Sequence, residues 1–154
     1  PESRPPTLAD LLTLCRRLND EGARYLVVGG MAVIRAGFVR ATEDIDLLVD
    51  AAAENVDRVR RALLSLPDGA AREVDRDDLL KYAVIRVADE IVVDLMRSAC
   101  GIEYAEASHE IETDTIEGVV VPFASAKLLL RMKQTVREKD AADRAFLTAR
   151  LSSP

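Results

Sequence analysis

Apolar side chains recur at helical spacing through Leu8, Leu11, Leu12, Leu14, Cys15 and Leu18, which predicts a helix ended by the Asn19–Gly22 stretch. Thr7, with Asp10 three residues on, is its expected N-cap. The continuous apolar run Tyr25-Leu26-Val27-Val28 predicts a short buried strand, stopped by Gly29-Gly30. Helical periodicity resumes from Met31 to Ala36 and closes near Gly37, and Ile45–Val49 is a second strand. Asp50 is expected to cap a helix reaching about Leu66, ended by Pro67-Asp68-Gly69. Tyr82–Val87 and Ile91–Leu95, separated by Ala88-Asp89-Glu90, predict a hairpin. The acidic stretch from Ser98 to Glu117 shows no usable period. Val119-Val120-Val121-Pro122 is a last short strand, and Ser125 to about Arg150 reads as one long final helix.

This order of elements predicts a mixed α/β (α+β) protein: a short mixed sheet flanked by helices, with a long C-terminal helix. One domain from 7 to 150 is expected, after a disordered leader at 1–6. No repeat or linker interrupts it.

Composition narrows the picture. Of 154 residues, 49% are hydrophobic and 31% charged, which suits an ordinary globule that is neither disordered nor membrane-embedded. Aromatics make up 4% and Trp is absent, so Leu, Val, Ile and Ala must build the core. No apolar run approaches the roughly 20 residues of a membrane span, and Pro1–Pro6 lacks the basic-then-apolar pattern of a signal peptide. Cys15 and Cys100 are too few for a disulfide framework, and a reduced, cytoplasmic setting is expected. Cys15 is expected in the core. The net charge is −6, yet Lys127–Arg150 holds seven basic against three acidic residues, a balance of +4 that leaves −10 on the rest. A basic tail on an acidic body is either a solvated helix face or an anion-binding one.

Three features carry candidate chemistry. Gly29-Gly30 lies between a strand and a helix start, where glycines let backbone N–H groups approach an anion, although steric turns use the same pair. Asp44 and Asp46 are two apart in a strand and therefore project from one face. At about 4 Å and an effective dielectric near 20, two such charges repel by on the order of 4 kcal/mol, which a bound cation would relieve. Hard carboxylate oxygens suit Mg²⁺ or Mn²⁺. Asp94, inside the apolar run Ile91–Leu95, is a third acid that needs a partner or a metal.

Gly29-Gly30, thirteen intervening residues, then Asp44-Ile45-Asp46-Leu47 resembles the signature of the nucleotidyltransferase (polymerase beta-like) superfamily. The fuller runs Val28–Ala32 and Arg40–Val49 are similar to the abortive-infection (AbiEii-type) and toxin–antitoxin nucleotidyltransferases. Phe123–Lys127, Lys133 and Arg137–Asp143 resemble the later pattern of that branch. The resemblance implies a minimal nucleotidyltransferase fold and transfer of an NMP from an NTP to an acceptor hydroxyl. It implies that Gly29 and Gly30 cradle the phosphates, that Asp44, Asp46 and Asp94 bind metal, and that Asp94 also serves as base. It further implies that Arg40 and Thr42 steady the phosphates or the motif loop, and that Lys127 and Lys133 contact phosphate. Arg137, Lys139, Asp140 and Asp143 are expected to pair at helical spacing.

The fuller enzymes of this branch usually carry a larger helical C-terminal part than the residues after Arg150 provide. Acceptor recognition is therefore expected to be minimal, borrowed from a cognate partner protein, or formed in a dimer. The acceptor is tRNA or protein in a toxin or abortive-infection setting; the alternatives are a small molecule such as an antibiotic, or a non-catalytic nucleotide-binding, antitoxin-like module. His109, the only histidine, is expected to serve at the surface or at a strand edge rather than in catalysis.

Overall fold

The computed structural model describes residues 2–153. Helix α1 (Leu8–Asp20) begins at the predicted cap: the Thr7 hydroxyl accepts from the Asp10 N–H, and the Asp10 carboxylate accepts from the Thr7 N–H. Its Leu11, Leu12, Leu14, Cys15 and Leu18 are buried. Strand β1 (Tyr25–Val28) passes directly into α2 (Gly29–Arg35), and β2 (Asp44–Val49) follows. Helix α3 (Ala53–Leu63) has no side-chain cap of its own. Asp50, expected there, accepts from the Ala52 N–H and pairs with Arg24, organising the turn before the helix instead.

The short helix α4 (Asp78–Lys81) leads into the predicted hairpin of β3 (Val84–Ala88) and β4 (Val92–Met96). The acidic stretch from Ser98 to Glu117, without a usable period, holds a small pair, β5 (Ser98–Ala99) and β6 (Ile102–Glu103), the one-turn helix α5 (Tyr104–Ala107), and β7 (Ile111–Ile116). Strand β7 forms a hairpin with β8 (Val119–Ala124) across Glu117-Gly118, both at positive φ as a two-residue turn of this hand requires.

The predicted final helix is divided into α6 (Ala126–Met132), capped by Ser125, and the longer α7 (Glu138–Ser152). Between them the chain turns. There the Arg144 guanidinium donates to the carbonyls of Lys133 and Thr135, and the Lys133 ammonium folds onto Asp140 and Asp143. Polar contacts across the break replace the backbone bonds an unbroken helix would have made.

The main sheet has the order β3-β4-β2-β1-β8-β7. Strand β2 runs parallel to β4 and β1 parallel to β8; the other neighbours are antiparallel. Helix α1 packs on α3 and β8, while α6 packs on α2 and α7. The core is one continuous cluster of mainly aliphatic residues, with Phe123 its largest fully buried side chain. Ser3 and Arg4, placed by the sequence reading in a disordered leader, are tied to the β3–β4 turn: Ser3 donates to the Asp89 carbonyl, and Arg4 pairs with Glu90 and Asp10. Pro1, in the same expected leader, lies outside the described residues.

Candidate active site

The register of three strands builds the site. Parallel pairing sets Asp46 beside Asp94, and the β3–β4 hairpin sets Arg86 beside Asp94, so all three stand on one face in a single row. Asp44 joins them two residues before Asp46. One oxygen from each of Asp44, Asp46 and Asp94 lies within 4.8 Å of the others. The Arg86 guanidinium grips Asp94 with both arms, Nε to Oδ1 and Nη2 to Oδ2 at 2.9 Å each, and Nη2 also reaches Asp44 at 3.5 Å. Asp94 is buried, whereas the Arg86 side chain is 62% exposed.

Asp46 bears the consequence of this crowding. Burial, then the charges of Asp44 and Asp94, push its carboxyl up to about 7, against a weaker opposing pull from Lys133 and Lys139. One guanidinium does not balance three carboxylates. The set offers clustered hard oxygen donors with charge left over, so it fits a divalent cation such as Mg²⁺ or Mn²⁺.

The two glycines fit against this strand. Gly29 has φ +65°, and a Cβ there would lie 2.0 Å from the Asp46 carboxylate. A Cβ on Gly30 would lie 2.5 Å from the Thr42 hydroxyl oxygen and 2.8 Å from its Cβ. The pair thus lets α2 begin directly against the acidic strand. Thr42 in turn donates to the Asp44 carbonyl and fixes the approach to the acids.

Beside Gly29 and Asp46 opens a cavity of about 180 Å³, whose lining includes Ser98, Cys100, Lys133, Thr135, Arg137 and Asp140. Lys133 is buried, with its ammonium 3.3 Å from Asp140 and 3.1 Å from Asp143. Arg40 Nη2 donates to Asp143 at 3.0 Å, while Nε lies equally close to the other oxygen but too poorly aligned to bond. Arg137 pairs with Asp140 three residues on, as its spacing predicted. Lys127 is exposed on α6 and does not line this cavity; His109 is likewise exposed, in a short turn after α5.

No protein-family model matches the sequence, and no curated protein matches it. Solved structures do. A Thermotoga maritima protein described as a candidate nucleotidyltransferase aligns over 94% of this chain and 91% of its own, with a TM-score of 0.55 at 16% identity. An antigenic nucleotidyltransferase-like protein from Paracoccidioides brasiliensis aligns over 97% of this chain and 80% of its own, with a TM-score of 0.57 at 18% identity. This chain has the nucleotidyltransferase fold. At these identities the likeness is one of fold, and it does not distinguish the abortive-infection branch.

Within the nucleotidyltransferase fold, Arg86 is the site residue that the sequence reading missed. The signal was present: eight residues before Asp94, it falls opposite that acid once the hairpin is registered through Ala88–Val92. Lys139, which the sequence reading assigned only to helical pairing, forms no ion pair among the described residues, and its field reaches Asp46.

Proposed function

We propose that this protein is a divalent-metal-dependent nucleotidyltransferase that moves a nucleoside monophosphate from an NTP to an acceptor hydroxyl. The observation that carries the reading is the convergence of Asp44, Asp46 and Asp94 beside a cavity lined by Gly29 and Lys133. The fold neighbours support the same class of reaction. When bound, Mg²⁺ or Mn²⁺ would offset charge on the triphosphate and on the attacking and leaving oxygens.

Asp44, Asp46 and Asp94 are the residues that would hold that ion. Gly29 borders the cavity beside Asp46, where backbone at the start of α2 would meet phosphate oxygens, and Gly30 lets that helix start pack closely against Thr42. Lys133 and Arg137 on the cavity wall would offset charge on the departing pyrophosphate. Arg40 and Thr42 hold the loop that aims the acids, and Lys127 would meet phosphate only at the periphery. Asp94 takes the proton from the acceptor hydroxyl as that oxygen bonds to the α-phosphorus, and the bond to the pyrophosphate oxygen breaks in line.

The acceptor in this reading is tRNA or protein, in the toxin or abortive-infection setting that the Arg40–Val49 and Arg137–Asp143 runs suggest. One observation favours the non-catalytic nucleotide-binding module: a carboxylate with both oxygens held by Arg86 is a poor base. Single-turnover transfer from each α-labelled NTP, offered tRNA, protein and aminoglycoside acceptors, separates the two readings. Transfer that EDTA stops, and that Asp94→Asn lowers by about 10²–10⁴-fold, supports the enzyme. NTP binding with no transfer to any acceptor supports the module.

A further inference from the structure

Arg86 stands where a cation would go. Its Nη2 bridges Asp94 Oδ2 at 2.9 Å and Asp44 Oδ2 at 3.5 Å, two of the three carboxylates that converge there. We infer that Arg86 is a displaceable internal counter-ion of the acidic row, which must release Asp94 before a divalent cation is held there. The inference rests on the metal-site reading above and adds a positioning residue that controls how readily the site loads.

Three observations support displacement over coexistence. First, the fork engages both Asp94 oxygens, so an ion approaching the shared gap meets a guanidinium already bonded across it. Second, nothing else anchors the side chain. Arg86 sits on β3, an edge strand, it is mostly exposed, and its only side-chain partners among the described residues are the site carboxylates. The guanidinium faces solvent, so water can take over its hydrogen bonds as it leaves, and the incoming ion replaces its charge on the buried Asp94. Third, the released group has somewhere to go. Arg86 borders an open polar cavity of about 310 Å³ that also includes Ser3, Arg4, Glu43 and Asp44. Glu43 is exposed and forms no ion pair among the described residues, so it offers the guanidinium a second carboxylate outside the row.

The buried cations nearby behave otherwise. Lys133 and Arg40 are enclosed and matched to Asp140 and Asp143, so neither is free to leave. Among the described residues, Arg86 alone combines contact with the acidic row and an open exit.

The test is calorimetric titration of Mn²⁺, without nucleotide, into wild type, Arg86→Gln, Arg86→Lys and Asp46→Asn. Arg86→Gln is expected to bind Mn²⁺ at least about tenfold more tightly than wild type, or about 1.4 kcal/mol. Arg86→Lys is also expected to bind more tightly, by a smaller factor, because an ammonium keeps the charge but cannot fork onto both Asp94 oxygens. Asp46→Asn should lose the binding. Unchanged or weaker binding in Arg86→Gln overturns the inference, as does wild-type affinity in Arg86→Lys, which would reduce the residue to a fixed background charge. If wild type and both Arg86 variants lack any Asp46-dependent binding, the metal-site reading falls as well. Asp46-dependent binding whose affinity ignores Arg86 sinks the Arg86 inference alone.

Discussion

Asp140 and Asp143 on α7, like Asp44, Asp46 and Asp94 on β2 and β4, are carboxylates drawn away from bulk water, but the protein supplies the two groups with very different numbers of cations. The helical pair is met by Lys133, Arg40 and Arg137, with the Thr135 hydroxyl on Asp140 as well. Burial alone would raise the Asp140 carboxyl, yet the Thr135 bond, the Lys133 charge and the hydrogen bonds from Arg137 and Lys133 outweigh it and hold the group below its ordinary range. The strand-borne trio has one exposed guanidinium, and Asp46 is pushed up to about 7. Buried carboxylates surrounded by several cations stay readily ionised, whereas a crowded trio with one guanidinium resists ionising, the kind of imbalance that clusters at functional sites.

The largest expected effect comes from unbalancing the matched cluster. Lys133→Met strands two buried carboxylates on the two remaining arginines, and breaking such a pair typically costs about 3–5 kcal/mol. At about 2–4 °C per kcal/mol for a domain of this size, the melting temperature should fall by at least roughly 6 °C. A change under about 2 °C would erase the contrast between the clusters.

The opposite sign is expected at the trio. Asp46→Asn removes an unmatched charge and should stabilise the metal-free protein at pH 8 by about 1–3 kcal/mol, read by urea unfolding in EDTA. Loss of stability in that variant would break the comparison. The pH dependence follows from the same group. Because the folded-state carboxyl lies near 7 and the unfolded one near 3.8, the folded protein retains a proton that the unfolded chain has already released between those values. Metal-free stability should therefore fall as pH rises from about 4 to about 7, then level off as far as Asp46 decides it. The response to Mn²⁺ should grow over the same interval, since the proton and the ion compete for Asp46. Asp46→Asn should flatten both trends.

A smaller effect sharpens the role of the glycine turn. Gly30→Ala drives a methyl into Thr42 and should cost about 1–3 kcal/mol of stability. Thr42→Ala in the same chain should recover part of it, a non-additivity that a pure phosphate cradle would not produce. The smallest effect is expected at Lys127. Exposed and away from the cavity lining, Lys127→Ala should leave NTP affinity within about twofold, or about 0.4 kcal/mol. A tenfold loss would restore it as a phosphate contact.

Local pattern accounts for what was legible. The Thr7–Asp10 cap, the apolar run of β1, the Gly29-Gly30 stop and the alternation around Asp44 and Asp46 are written in adjacent residues, so period and cap chemistry are enough to read them. The edge strand β7 escaped because Ile111–Ile116 buries little and interleaves acids and threonines, leaving Glu117-Gly118 as its main signal. The break after Met132 escaped because contacts that hold it come from farther along the chain, among them Arg144, eleven residues after Lys133.

By itself the sequence determined the acid and glycine motifs, the helices and strands that carry them, and the aliphatic core that buries one face of each. Tertiary structure alone decided that β4 lies beside β2 and parallel to it, which brings Asp94 level with Asp46 across 48 residues of chain. It alone turned Lys133 and Arg40 inward onto Asp140 and Asp143, and set Arg86 across Asp94. Local pattern fixes which face of a strand a side chain occupies, because that depends on neighbours one and two residues away. Which charge finds which depends on strand order and register, and those are settled only when distant segments compete to bury the same core.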